Sequence, residues 1–426
     1  MHHIGLICPE YSGHLNPMRT LGRHLQRWGY RVSLIARPDA QPRAVAARLG
    51  YVAIGTTEFP RGSLARRQAE LGRLTGLRAI RFTINELHQA SSVILRDAPA
   101  AITAAGVDAL LVDQAAPAGG TVADKLGLPY VTVCNALALD RDSLVPPPLT
   151  AWHYRPTAMG RVRNRLGYAL MERLARPVVA QIATQRVRWG LPPLRTSQDL
   201  VSPLAEIAQQ PAAFDFPRGS VPPVFHHTGP FHDATSGDAV PFPFERLSQQ
   251  PLVYASLGTL QNRLHHIFHC IAAACADLDV QLVVSLGSSD QVRPPNLPGD
   301  PIVVPYAPQL ALLDRAALVI THAGLNTTLE ALSRGVPLVA IPITNDQPGV
   351  AARIVWTGVG TMLPVARLSV PRLRASIRQV LADARFRGNA ARLQAAIAEA
   401  DGLRRAVEIA ETALVTTSPV VRAAGI

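Results

Sequence analysis

The sequence predicts an α/β protein built from two Rossmann-like halves, and three observations carry that expectation. The chain opens with an apolar run at residues 3–8. A turn, a helical stretch from 17 to 28 and apolar runs at 31–36 and 51–54 follow. That is a βαβ unit, with Pro17 early in the helix and Gly29 after its end. A second such unit occupies 306–352. There the apolar run Leu318, Val319, Ile320 is followed by a break at 321–324, a helical pattern to Arg334, Gly335, and a second apolar run at 336–341. Gly335 stands where a left-handed C-cap residue is wanted. Finally, 426 residues exceed one ordinary domain, and a Pro/Asp/Gly/Ser-rich run through Phe244 separates the halves.

Taken in order, the first loop holds His14, at the edge of the sheet where ligands bind. Residues 56–99 read as irregular and then helical. Residues 108–113 form a strand with a carboxylate at each end, and Asp113 lies on the same edge as His14. The plainer reading of Asp113 caps a helix over 115–126; Asp108 reads as a turn residue. Residues 130–133 form a strand with Asn135 at its tip. Residues 159–189 read as an amphipathic helix broken at Pro177. Val162, Leu166, Ala169, Leu170 and Leu174 make its apolar face, and Arg161, Arg163, Arg165, Arg173 and Arg176 the other. Two readings of the basic face stand: a solvated surface, or contact with an anionic membrane.

The second half opens with a strand at 252–255 and a loop, 256–259. A helix at 262–276, strands at 280–286 and 302–304, the 306–352 unit, a strand at 359–363 and helices near 369–382, 387–400 and 403–414 follow. The break at 321–324 carries the chemistry. His322, Gly324, Asn326 and Thr327 sit at the mouth of a helix, where free N–H groups and the helix dipole favour an anion. Glu330, one turn on, can accept from hydroxyls. A ligand with phosphate at one end and a diol beside it fits, as in a nucleotide sugar. The plainer reading makes Thr327-x-x-Glu330 a capping box that serves only the helix end.

Composition excludes several classes. No apolar run is long enough to span a bilayer. The N-terminus lacks a basic region followed by an apolar one, so the expected location is cytoplasmic. The four cysteines have no metal-ligand or disulfide spacing, and reduced thiols are expected. The formal charge of +12 comes almost wholly from arginine, Lys125 being the only lysine. Those arginines are spread along the chain without a nucleic-acid motif, so no nucleic-acid partner is expected.

The 306–352 stretch resembles the signature of family-1 UDP-glycosyltransferases. It has an aromatic-x-Pro-Gln start, His-x-Gly-x-Asn-Thr-x-x-Glu, Gly-Val-Pro and Asp-Gln, in that order. YASLGTLQN at 254–262, ITHAGLNTTLEAL at 320–332 and NDQPGVAAR at 345–353 are closest to the bacterial carotenoid (zeaxanthin) glucosyltransferase type. The resemblance implies the GT-B fold: two Rossmann-like domains facing across a cleft, with a C-terminal helix crossing back to the first. It implies an acceptor domain at 1–230, a linker at 231–246, a donor domain at 247–400 and a returning helix with a loose tail at 401–426.

It also implies the roles. His14, in a Gly-His-x-x-Pro opening, is the catalytic base, and Asp113 orients it. Tyr306 stacks on uracil, and Ala307 offers its backbone to the base. Gln309 completes the opening motif. Thr259, His322, Asn326 and Thr327, with Gly324, hold the diphosphate. Glu330 takes the ribose hydroxyls, and Asp346 and Gln347 bind the hexose. Asn135 is a further contact to sugar or acceptor. The resemblance points to UDP-glucose as co-substrate, no cofactor, and a hydroxylated apolar acceptor such as a carotenoid. Without a DxD-type cluster near the site, no metal is expected. Another lipid alcohol, macrolide, sterol or phenol remains an alternative acceptor. A sugar-nucleotide epimerase remains an alternative of another class.

Overall fold

The computed structural model describes residues 3–233, 240–260, 262–287 and 296–422. In the first half, strands β1 (His3–Ile7), β2 (Arg31–Ala36), β3 (Gly50–Ala53), β4 (Ala109–Asp113), β5 (Tyr130–Cys134), β6 (Glu206–Ala208) and β7 (Phe225–His227) form one parallel sheet. Its order is β3-β2-β1-β4-β5-β6-β7. Helices α1 (Ser12–Arg27), α2 (Gln41–Ala46), α3 (Ser63–Leu71), α4 (Gly76–Ala105), α5 (Ala118–Leu126) and α6 (Ala158–Arg188) connect the strands.

The second sheet is also parallel, in the order β10-β9-β8-β11-β12-β13. Its strands are β8 (Leu252–Ser256), β9 (Gln281–Ser285), β10 (Ile302–Val304), β11 (Ala316–Thr321), β12 (Leu338–Ala340) and β13 (Gly360–Met362). Helices α7 (His265–Cys275), α8 (Gln309–Leu313), α9 (Leu325–Leu332), α10 (Gln347–Trp356), α11 (Val370–Ala382), α12 (Ala384–Ala400) and α13 (Gly402–Thr416) complete the fold.

Helices cover both faces of each sheet, so central strands are buried on both sides and read as unbroken apolar runs. Every residue of β1, β4, β5 and β8 is buried. The α13 helix returns to the first sheet. Leu403, Val407, Ala410 and Leu414 join Leu15, Met18 and Leu21 of α1 in one core. Each fully buried leucine or valine there is worth roughly 1.5–3 kcal/mol, which fixes the crossing helix.

Both expected helix stops are Schellman caps. Gly335 has φ +65°, its N–H reaches Leu332 O, and Val336 N–H reaches Ala331 O. Gly29 repeats the pattern at the end of α1, with bonds to Gln26 O from Gly29 and to Leu25 O from Tyr30.

Several expectations need correction. The α1 helix begins at Ser12 rather than Pro17, so His14 lies in its first turn and not in a loop. Pro177 does not break α6, which runs unbroken through 31 residues. Pro177 and Arg173 are both exposed, so water can take the carbonyl that the proline leaves unbonded. The apolar face expected to pack is turned outward; Gly160, Asn164 and Tyr168 are buried instead. The short strands β6 and β7 and the helix α3 were not foreseen. Part of the expected linker, residues 234–239, lies outside the described residues. Phe231 on one side of it belongs to the first core, while Phe242 and Leu247 on the other pack on the second.

Candidate active site

In each sheet the strand order reverses beside the first strand, between β1 and β4 and between β8 and β11. Ligands bind beyond the carboxyl ends at such a switch point. In the first sheet that point holds His14 and Asp113. His14 Nδ1 lies 2.8 Å from Asp113 Oδ2. Asp113 is fully buried and ends β4. It also accepts from the Ala115 backbone N–H and from Asn135 Nδ2, each at 2.7 Å. A carboxylate only accepts, so Nδ1 carries the proton and Nε2 is left as the base. Burial alone would push the imidazole pKa down. The charge and hydrogen bond of Asp113, with the charge of Asp346, outweigh it, and the pKa is raised. The plainer reading of Asp113 as a helix cap fails, because that helix begins at Ala118, behind Pro117.

At the switch point of the second sheet, His322 follows β11. Its ring lies between two glycines. A Cβ on Gly258 would sit 2.6 Å from His322 Cε1, and one on Gly324 2.5 Å from Nε2. Gly324 was expected to admit a ligand; it first admits the imidazole. In the turn after β11 the left-handed residue is Ala323, at φ +64°, a conformation that costs a non-glycine residue roughly 1–3 kcal/mol and concentrates at functional sites. Burial pushes the His322 pKa down to about 4. At neutral pH this ring is an uncharged hydrogen-bonding group.

Glu330 is not a capping residue. Gly324 is the N-cap of α9 and no side chain caps it. Glu330 instead accepts from Gln309 Nε2, whose Oε1 accepts from Tyr254 at 2.9 Å. Burial pushes the Glu330 pKa up to about 7. Thr259, Ala307 and Thr327 line the same side of the cleft, and Tyr306, 40% exposed, stands there with a ring free to stack. Asp346 Oδ2 accepts from Leu137 N–H at 3.2 Å. Gln347 Oε1 accepts from the N–H groups of Ile343 and Thr344, at 2.9 and 3.0 Å, which braces the turn before α10.

The two halves are bonded across the cleft in part by residues the sequence did not mark. Gln209 Nε2 donates to Asn326 Oδ1 at 2.6 Å and also to the backbone oxygen of Asn135. Nothing local signals Gln209, because Asn326 lies 117 residues away. Farther out, Arg353 of α10 and Arg218 close on the buried Asp215, at 2.7 Å each.

The cleft encloses about 1870 Å³. Single-ligand pockets run to roughly 1,000 Å³, so there is room for two substrates. The half away from the second sheet is lined by Leu71, Ile80, Phe82, Ile84 and Val179. A buried charged group interrupts this lining. Glu10 binds Arg37 and Arg67, and Arg67 and Tyr11 bind Glu86, at 2.6 and 3.0 Å.

Residues 74–402 match the family described as UDP-glucoronosyl and UDP-glucosyl transferase. The chain belongs to that family. It is a UDP-glycosyltransferase, and the epimerase alternative falls away. The enzyme is similar over its whole length to two zeaxanthin glucosyltransferases. The one from Pantoea ananas is 32% identical, covering 100% of this chain and 99% of the relative. The one from Pseudescherichia vulneris is 30% identical, covering 97% and 98%. A 4'-demethylrebeccamycin synthase from Lentzea aerocolonigenes is 27% identical over 94% of the enzyme and 96% of the relative. Among solved structures, the glycosyltransferase of kitacinnamycin superposes with a TM-score of 0.74 at 21% identity, covering 97% and 99% of the two chains. The calicheamicin glycosyltransferase CalG4 gives 0.73 at 22%, covering 98% and 100%. These likenesses establish the GT-B fold.

Proposed function

We propose that the enzyme moves glucose from UDP-glucose to a hydroxyl of an extended apolar acceptor, such as a hydroxylated carotenoid, with inversion. The observation that carries this reading is the His14–Asp113 pair at the first switch point, facing the cleft that His322 and Glu330 line from the other side. His14 Nε2 takes the proton of the acceptor hydroxyl. The oxygen attacks the anomeric carbon, and the bond from that carbon to the phosphate oxygen breaks. UDP leaves with the electron pair, and Asp113 stabilises the imidazolium.

Residues 247–400 serve the donor and 1–230 the acceptor. Tyr306 stacks on uracil, beside the Ala307 backbone. The mouth of α9, His322, Thr327, Thr259 and one N–H of Asn326 meet charge growing on the diphosphate. Glu330 takes the ribose hydroxyls. Asp346 takes hexose hydroxyls while Gln347 holds its turn. Asn135 Oδ1, buried and without a partner among the described residues, is left for a substrate hydroxyl. Among the described residues no helix is long and apolar enough to cross a membrane, and a nucleotide-sugar donor fits action on the cytoplasmic side.

The charged group around Glu10 and Arg37 favours a second reading, in which the acceptor is a smaller, more polar molecule. The test offers UDP-glucose with detergent-dispersed zeaxanthin-type diols and with soluble phenols and macrolides, and weighs the products by mass spectrometry. Glucosylated diol, absent with His14→Ala, supports the proposal. Soluble phenols turned over far faster than any carotenoid replace it with the second reading.

A further inference from the structure

The first half of α6 carries an apolar stripe that no described residue covers. Met159, Val162, Leu166 and Leu170 are 82%, 54%, 68% and 59% exposed. Their spacing of three and four residues puts them on one face, which a helix of a globular protein ordinarily turns inward. Here the opposite face is the packed one. Asn164 Nδ2 donates to Ser143 O at 2.9 Å, and Gly167 abuts Pro147 and Trp152.

We propose that this stripe docks on an anionic lipid bilayer and hands a bilayer-dissolved acceptor to the cleft; the second clause rests on the function proposed above. Charge selects the occupant. Arg161, Arg165, Arg173 and Arg176 are exposed on the same helix and make no ion pair among the described residues. Glu172, the only acid in α6, is held by Arg141 at 2.6 Å. Arg163 belongs elsewhere, over the Trp152 ring and bonded to His153 O. An apolar stripe flanked by free arginines matches acyl chains flanked by anionic headgroups. A second copy of the chain would set arginine against arginine. Position supports the delivery step: the stripe ends at Leu170, and residues 169–176 line the cleft. An acceptor leaving the bilayer along the stripe arrives at the cavity without crossing water.

The test floats the full chain with vesicles of phosphatidylcholine alone or mixed with phosphatidylglycerol, at low and high salt. It compares the wild type with Met159→Ser/Val162→Ser/Leu166→Ser and with Arg161→Gln/Arg165→Gln. None of these side chains lines the cleft, and thermal melts check that each variant folds. The wild type floats with the mixed vesicles at low salt, and both variants lose at least about tenfold in bound fraction. Glucosyl transfer to a soluble phenol, read in the same samples, stays at the wild-type rate in both variants. A wild type that ignores mixed vesicles, or an apolar variant that floats as well as wild type, overturns the docking face. So does a self-associated wild type that the apolar variant disperses without any flotation. Flotation without transfer to any acceptor leaves the docking intact and overturns the proposed function instead.

Discussion

The side-chain amide of Asn326 donates to the carbonyl oxygen of Gly13 at 2.8 Å. The reason that oxygen is available lies four residues on. In a regular helix it would accept from the N–H of residue 17, but residue 17 is Pro17, inside α1. The proline thus leaves an acceptor at the turn that carries His14, and Asn326 of the second half of the chain takes it. Gln209 fixes the other end of the Asn326 amide and also holds the strand tip from which Asn135 reaches Asp113.

Removing that bridge uncouples the proposed donor site from the proposed base. Asn326→Ala is expected to lower kcat/KM about ten- to a hundredfold, roughly 1.4–2.7 kcal/mol of transition-state stabilisation, with the melting temperature nearly unchanged. Steady-state kinetics beside UDP titration calorimetry check it. Wild-type turnover in the variant would make the bridge incidental.

With His14 as the proposed base, its raised pKa sets the expected acid limb of the rate profile. The base works unprotonated, so kcat/KM rises with pH, with its midpoint above the ordinary value of about 6.5. In Asp113→Asn the charge that raises the pKa is gone while burial remains, so the midpoint moves down. The maximal rate falls by roughly 10²–10⁴, because the tautomer is no longer set. His14→Ala abolishes transfer but still binds UDP. A limb that stays put in Asp113→Asn assigns it to another group.

The proposed place of Glu330 on the ribose hydroxyls gives donor binding its own pH dependence. The Glu330 proton leaves at about 7 in the free enzyme, and only the carboxylate accepts from both ribose hydroxyls. UDP affinity therefore strengthens as pH rises from 6 to 8. Glu330→Gln should lose that part of the slope, which separates it from titration of UDP itself. Identical slopes in wild type and variant would remove Glu330 from the nucleotide site.

The sheets were legible because parallel strands buried on both faces write unbroken apolar runs, as β1, β4 and β11 do. Gly29 and Gly335 marked helix ends for a backbone reason that needs no tertiary context. The side on which a helix packs did need it. Leu166 reads as core and is exposed; Asn164, which no pattern marked, is buried with a backbone oxygen 21 residues away as its partner. The same limit hid Gln209 and the Asp215–Arg353 pair, whose partners are brought together only by the fold. The Thr327-x-x-Glu330 spacing suggested a cap, but the N-cap lies three residues before Thr327 at Gly324, so neither side chain serves the helix end and both meet Gln309 instead.

Gly324 offers the sharpest test of the donor site. Its φ of −65° and ψ of 136° suit alanine as well as glycine, so Gly324→Ala introduces no backbone strain. Its only direct effect is the new methyl, 2.5 Å from His322 Nε2, a contact that forces the ring to move. Gly258 closes the opposite side, so the imidazole cannot step away in place. The variant is expected to fold and to lose UDP affinity and turnover to the same degree as His322→Ala. The double variant should then be no worse than either single one, because both remove the same interaction. Losses that add in the double variant, or a Gly324→Ala enzyme that binds UDP as wild type does, would show that the glycine is there for the ligand's backbone approach and not for the histidine.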